Sequence, residues 1–259
     1  MIHGAFSVIL TAFLFLVGCA PKIQLHSPET VAHVWSALHP QERKDERITA
    51  HFSLQVETKE RTGRLVGQLW GFSSSVLRLD LASGTGASVA MIRETPELWT
   101  AYIPSENKAY RHANAQVGLA LFQIPVPFNS KQISNLIIGN LDAVLGQTYT
   151  SVHGTRDGRI RFNFAAGDIS AVEASEDLES LVLHGQKGWT LVCEKPYESQ
   201  AFAGHRLFEK FTFSSPEEGK AVLRVKSLEP GGEWQFSDLD LNLPHDVQWM
   251  RIISGPHYN

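Results

Sequence analysis

The spacing of apolar positions changes twice along the chain. Residues 5–17 (AFSVILTAFLFLV) are an apolar run without a charge. It is too short for the roughly 20 residues that span a bilayer, but it fits the h-region of a signal peptide, about 7–15 residues. From Ser27 the period is helical. Ser27-Pro28-Glu29 offers a hydroxyl N-cap and a proline in the first turn, and Val31, Val34, Trp35 and Leu38 share one face. Pro40 ends this helix, and residues 41–47 (QERKDER) form a solvated charged run.

From Ile48 the period is two. Ile48, Ala50, Phe52, Leu54 and Val56 alternate with Thr49, His51, Ser53, Gln55 and Glu57, the mark of a half-buried strand. Segments 63–72, 76–81, 87–93, 98–103 and 108–112 continue in the same manner between short polar turns. Residues 114–138 interrupt them. Val117, Leu119, Leu121 and Phe122 suggest a short apolar helix, whereas two prolines in Ile124-Pro125-Val126-Pro127-Phe128 forbid one. Asn129, with Gln132 three residues on, predicts a capping box for a helix whose stripe is Ile133, Leu136 and Ile137, with Gly139 as its stop. Strands return at 159–164, 178–184, 189–194, 205–213 and 220–228. Leu239, Leu241 and Leu243, alternating with Asp238, Asp240 and Asn242, predict one more. About ten or eleven strands with short connections predict one strongly curled antiparallel sheet with a few helices on one side.

The apolar run at the N-terminus ends in Leu16-Val17-Gly18-Cys19. This sequence resembles the lipobox of bacterial lipoproteins, although Met1-Ile2-His3-Gly4 carries no Lys or Arg. The alternative is a short buried helix that happens to precede a cysteine. The lipobox reading makes 1–18 a signal peptide and Cys19 the site of acylation, palmitate included. Residues 19–47 are then a lipidated tether and helix, and 48–259 the folded domain. Ala20 rather than Asp after the cysteine points to the outer membrane, facing the periplasm.

Residues 48 to about 145 resemble the LolB-like outer-membrane lipoproteins of the LolA/LolB lipoprotein-localisation superfamily. The resemblance lies in the order of Leu69-Trp70, the Arg78-Leu79-Asp80-Leu81 strand, a glycine-containing loop, the segment Ile124 to Ser130 and the ending Leu136-Ile137-Ile138-Gly139. It implies a mainly β (α+β) fold: an incomplete, highly curved antiparallel barrel with a helical lid over an apolar cavity for lipoprotein acyl chains. Candidate lining residues are Phe52, Leu54, Leu69, Leu79, Met91, Tyr102, Phe122, Ile133, Leu136 and Ile137, all of which an ordinary packed core would also use. The family's membrane-facing leucine corresponds to Thr85 in the loop Gly84-Thr85-Gly86, which removes its apolar surface. The implied partners are lipoprotein acyl chains, a LolA-like periplasmic carrier and the membrane through the anchor, with the chain itself a monomer. A structural or sensory lipoprotein using the same fold to bind a protein is the alternative.

Composition narrows the rest. With 23 Lys+Arg against 27 Asp+Glu the net charge is -4, which does not suit non-specific nucleic-acid binding. Two cysteines, Cys19 and Cys193, cannot form a disulfide scaffold. Gly84-Thr85-Gly86 precedes a strand and lacks a Lys-Ser/Thr pair, so it does not read as a phosphate loop. The eleven histidines show no zincin spacing, there is no Gly-x-Ser-x-Gly elbow, and Asp238 and Asp240 read as a solvated strand face. No enzyme chemistry and no cofactor are expected.

Overall fold

In the computed structural model of the chain, residues 26–40, 46–116, 121–122 and 124–252 are described. The signal segment, Cys19, Val117 and Leu119 lie outside them. The described chain is mainly β, with fourteen strands in one curved open sheet and two α-helices.

The strands form two meanders. The first comprises β1 (Arg47–Glu57), β2 (Thr62–Phe72), β3 (Leu77–Ser83), β4 (Ser88–Glu94), β5 (Trp99–Ile103) and β6 (Lys108–His112). The second comprises β7 (Ser151–Gly154), β8 (Ile160–Asn163), β9 (Ile169–Ala174), β10 (Leu181–Gly185), β11 (Thr190–Tyr197), β12 (Leu207–Ser215) and β13 (Gly219–Pro230). Each meander is antiparallel throughout, and β1 pairs with β13 to join them. A last short strand, β14 (Gln248–Met250), adds in parallel to β6, so the spatial order runs β14-β6-β5-β4-β3-β2-β1-β13-β12-β11-β10-β9-β8-β7. A sheet of this width curls because each strand is twisted against the next.

The sheet has more strands than the ten or eleven expected. β7 has four residues, β9 breaks the alternation with Ala171 and Val172 both buried, and β14 is a three-residue strand whose side chains are exposed, so none of the three announces itself by a long alternation. The strand expected around Leu239 is instead a 3-10 turn, Phe236–Leu239. Of its leucines Leu239 is buried, in a small outer cluster with Val76 and Trp234. Arg78 holds this turn by donating to the carbonyls of Asp238 (3.0 Å) and Asp240 (2.7 Å). A tertiary contact has overridden the alternation.

Topology places the helices. The chain leaves β6 at one end of the sheet and starts β7 at the far edge, so residues 113–150 must cross a sheet face. α1 (Pro28–Leu38) begins as expected, its Ser27 hydroxyl accepting from the Thr30 N–H at 3.1 Å. α2 (Ser130–Ile137) lies within the crossover and has the expected capping box: Asn129 Oδ1 accepts from the Gln132 N–H at 2.8 Å, and Gln132 Oε1 accepts from the Asn129 N–H at 3.0 Å. Both helices bury their apolar residues in one continuous core with the inward-facing strand residues.

Candidate functional site

An all-hydrocarbon cavity lies between α2, the proline-containing segment before it and the concave face of the sheet. Its floor is made of Phe52 and Leu54 from β1, Leu79 and Leu81 from β3, and Ala221 and Leu223 from β13. Leu191 of β11 and Phe211 and Phe213 of β12 continue the floor, while Ile133, Leu136 and Ile137 of α2 and Ile124, Val126 and Phe128 close the other side. The floor follows from alternation, since residues on one face of a strand recur at every second position. The proline segment completes the wall because it cannot form a helix: Val126 N–H turns back to the Ile124 carbonyl at 2.8 Å. Phe128 then packs edge-on against Trp189 at 5.3 Å.

The free volume is about 60 Å³. That is smaller than the roughly 150 Å³ apolar cavity that takes up a benzene molecule. An acyl chain therefore needs the walls to part or side chains to repack. The space is dry for the same reason that other apolar voids are: it offers a water no hydrogen-bond partner.

α2 is held at its start by polar contacts and ends in a close backbone approach. Glu94, at the end of β4, points inward, and its carboxylate accepts the N–H groups of Ser130 (2.8 Å) and Lys131 (3.4 Å) at the helix start. A carboxylate there satisfies orphan amides and opposes the positive end of the helix dipole. Burial pushes the Glu94 pKa up, outweighing the hydrogen bonds from Ser130 and the Lys131 charge that pull it down. At the other end Gly139 takes a left-handed φ of +70°, and a Cβ there would lie 2.5 Å from the Arg206 carbonyl oxygen. Asn135 and Asn140 brace the same end, Asn140 Nδ2 donating to Asn135 Oδ1 at 3.0 Å.

Of the ten residues expected to line a cavity, Phe52, Leu54, Leu79, Ile133, Leu136 and Ile137 do so. The other four do not. Leu69 is fully buried on the same face, yet outside the cavity wall. Phe122 packs toward Trp99 at 6.4 Å, with its carbonyl accepting from Arg61. Met91 and Tyr102 pair across β4 and β5 and stand on the opposite face of the sheet, because Ala90, Ile92 and Glu94 occupy the inward positions of β4. The Met91 sulfur instead accepts from Arg78 at 3.7 Å.

Sequence reading missed Leu81, the Ile124–Phe128 wall and the floor from β11 to β13. Alternation marked Phe211 and Phe213 as inward-facing, but not that β13 would bring them beside β1. Glu94 was equally legible as an inward position, one that a charge occupies only with a partner.

Gly84, Thr85 and Gly86 form the exposed β3–β4 hairpin tip, closed by Ser83 N–H to the Ala87 carbonyl at 2.8 Å. The Thr85 hydroxyl lies 2.8 Å from that of Ser83. Cys193 is fully buried in β11, and burial pushes its thiol far above the ordinary cysteine range. His205, just before β12, is buried as well. Among the described residues no three His, Cys, Asp or Glu side chains are grouped to hold a metal ion, and no helix is long and apolar enough to cross a membrane.

No family model matches the chain, and no curated protein matches it. Solved structures do. A DUF1329 family protein from Desulfovibrio piger aligns with a TM-score of 0.54 at 10% identity, over 83% of this chain and 98% of that one. This is a shared fold. At lower similarity come a domain named for outer membrane lipoprotein sorting from Vibrio parahaemolyticus and a LolA superfamily protein from Nitrosomonas europaea. The first has a TM-score of 0.48 at 9% identity, over 81% of this chain and 94% of its own. The second has 0.49 at 6% identity, over 84% and 99%. Scores of that size define neither fold nor function.

Proposed function

We propose that this protein is a lipid-anchored, acyl-chain-binding protein of the outer membrane that accepts lipoproteins from a periplasmic carrier. The observation that carries the reading is the cavity whose every wall is hydrocarbon, roofed by a helix that polar contacts hold in place. The lipobox ending at Cys19 supports the anchor, and the ordered motifs of residues 48–145 support the family. Transfer would need no nucleotide: acyl chains pass from one apolar site to another, and differential affinity sets the direction. α2 and the proline segment serve as the lid, and their separation from the floor is the step that admits a chain.

Two measurements test this. A photoreactive fatty acid added to the full chain in nanodiscs should crosslink to peptides of β1, β12 and α2, with unlabelled fatty acid competing. Labelling confined to the surface would refute the lipid site. Cys19→Ala should abolish labelling by a palmitate analogue, and retained label would refute the anchor.

Thr85 bears on delivery. A leucine at the hairpin tip would gain about 1.5–3 kcal/mol on entering an apolar phase, and threonine far less. Thr85→Leu should therefore raise insertion of pre-bound lipoprotein into liposomes without changing acceptance from the carrier. Equal flotation by both proteins would assign membrane contact to another surface.

A second reading has its own support. A void of about 60 Å³ is also what an imperfectly packed core leaves. On that reading the fold is a structural or sensory module that binds a protein partner, and the acyl probe finds no internal site.

A further inference from the structure

We infer that Phe52, lying over Gly67, is the gauge that fixes how long an acyl chain the cavity accepts; the inference rests on the lipid reading above.

Phe52, Gly67 and Leu81 are direct neighbours across β1, β2 and β3 and face inward as one row. The row has a gap in its middle, because Gly67 has no side chain, and the Phe52 ring fills it. A Cβ on Gly67 would lie 2.3 Å from the Phe52 Cζ and 2.5 Å from Cε2. Gly67 does not have a positive φ. Its backbone would accept any residue, and a glycine inside a strand is a cost in stability. What excludes a side chain at 67 is therefore the ring. The unbroken β1–β2 register sets Phe52 opposite Gly67.

The consequence is geometric. Phe52 and Leu81 line the cavity, and the same row floors an open groove of about 390 Å³ on the other side of the sheet. The wall between interior and exterior is a single layer there. The ring can withdraw over Gly67 only because that position is empty. With alanine at 67 it must move from 2.3 Å to the 3.5–4.0 Å of ordinary carbon contact. The ring lines the cavity, so a displacement toward the interior takes up part of a volume of only about 60 Å³. Gly67 therefore leaves open cavity space that a displaced Phe52 ring would take.

The test uses the full chain in nanodiscs and photoreactive fatty acids from about eight to about sixteen carbons, with crosslinks assigned to the cavity peptides. Competition should strengthen about fourfold for each added methylene that finds apolar cover, up to a limiting length. Gly67→Ala should shorten that limit and weaken the longest probes about tenfold, leaving short ones within about twofold. Phe52→Leu should lengthen the limit, and the double variant Gly67→Ala/Phe52→Leu should return toward wild type. That rescue separates a gauge from mere damage to folding. Binding in wild type with one unchanged length profile in all three variants overturns the gauge and leaves the lipid site standing. No internal crosslink in wild type overturns the lipid site and the gauge with it.

Discussion

Phe162 lies under α1, while Leu191, Phe213 and Ala221 line the cavity beside α2. All four belong to one ladder row, Phe162–Val172–Leu183–Leu191–Phe213–Ala221. The two helices thus cover the same face of the same sheet, with different results. α1 presents an aromatic wedge. Trp35 lies 3.9 Å from the ring of His39, 4.9 Å from Tyr149, 5.1 Å from Phe162 and 6.1 Å from Phe164. α2 presents Ile133, Leu136 and Ile137, aliphatic side chains over a floor that curves away, and a cavity remains.

The difference lies in what fills the space beneath each helix. α1 is tied at its ends, His26 lying 2.7 Å from the Glu176 carboxylate and His39 3.1 Å from the Gly146 carbonyl, and rings large enough to reach the sheet fill the space beneath it. α2 is tied at its start by Glu94, but only aliphatic side chains reach down from it. Close packing is the rule in protein interiors, so a helix over an incompletely filled floor is where a ligand finds room.

The sharpest way to break this comparison is Trp35→Ala. If α1 depends on its wedge, the loss should be about 3–5 kcal/mol, the range for truncating a packed aromatic residue, read from urea denaturation. A loss below about 1 kcal/mol would show that α1 is held by other means.

Leu136→Ala should cost less, about 2–3 kcal/mol, at the low end of the range for a buried leucine. The adjoining space already exists, so fewer contacts are lost. The variant should also bind an acyl probe more readily than wild type, and a loss near 5 kcal/mol would place Leu136 in a fully packed core.

Glu94→Gln should change stability by less than about 1 kcal/mol at low pH, where the protonated acid and the amide are both neutral and either can still accept from Ser130. Its pH dependence is more telling. Burial holds Glu94 protonated above the ordinary glutamate value of 4.5. The native state then binds the extra proton, and this residue's contribution falls as pH rises from about 4.5 through the folded-state value. Wild type should lose stability relative to Glu94→Gln across that window and run parallel to it at lower pH. Parallel urea midpoints throughout would mean that Glu94 is not buried against α2.

Ile133→Phe should have the smallest effect on stability, within about 1 kcal/mol, because gained contacts offset the strain of overpacking. It converts the surface of α2 toward that of α1. Internal crosslinking of fatty acid should fall, and unchanged crosslinking would show that the chain lies elsewhere.

Alternation and caps were sufficient to determine most strands, both helices and the inward face of each strand. The capping box at Asn129 and Gln132 and the N-cap at Ser27 formed as local chemistry dictates, because both partners lie within four residues. Six of the ten expected lining residues meet for the same reason: each sits on the inward phase of its own element. The tertiary structure decided what depends on contacts distant in sequence. It placed β1 against β13, which brings Phe211 and Phe213 to the floor beside Phe52. It turned Met91 and Tyr102 to the convex face, and folded the Leu239 segment into a turn under Arg78. Local periodicity says which side of a strand is apolar; which strands then share that side, and whether the space between them is filled, depends on pairing and curvature that no short stretch of sequence encodes.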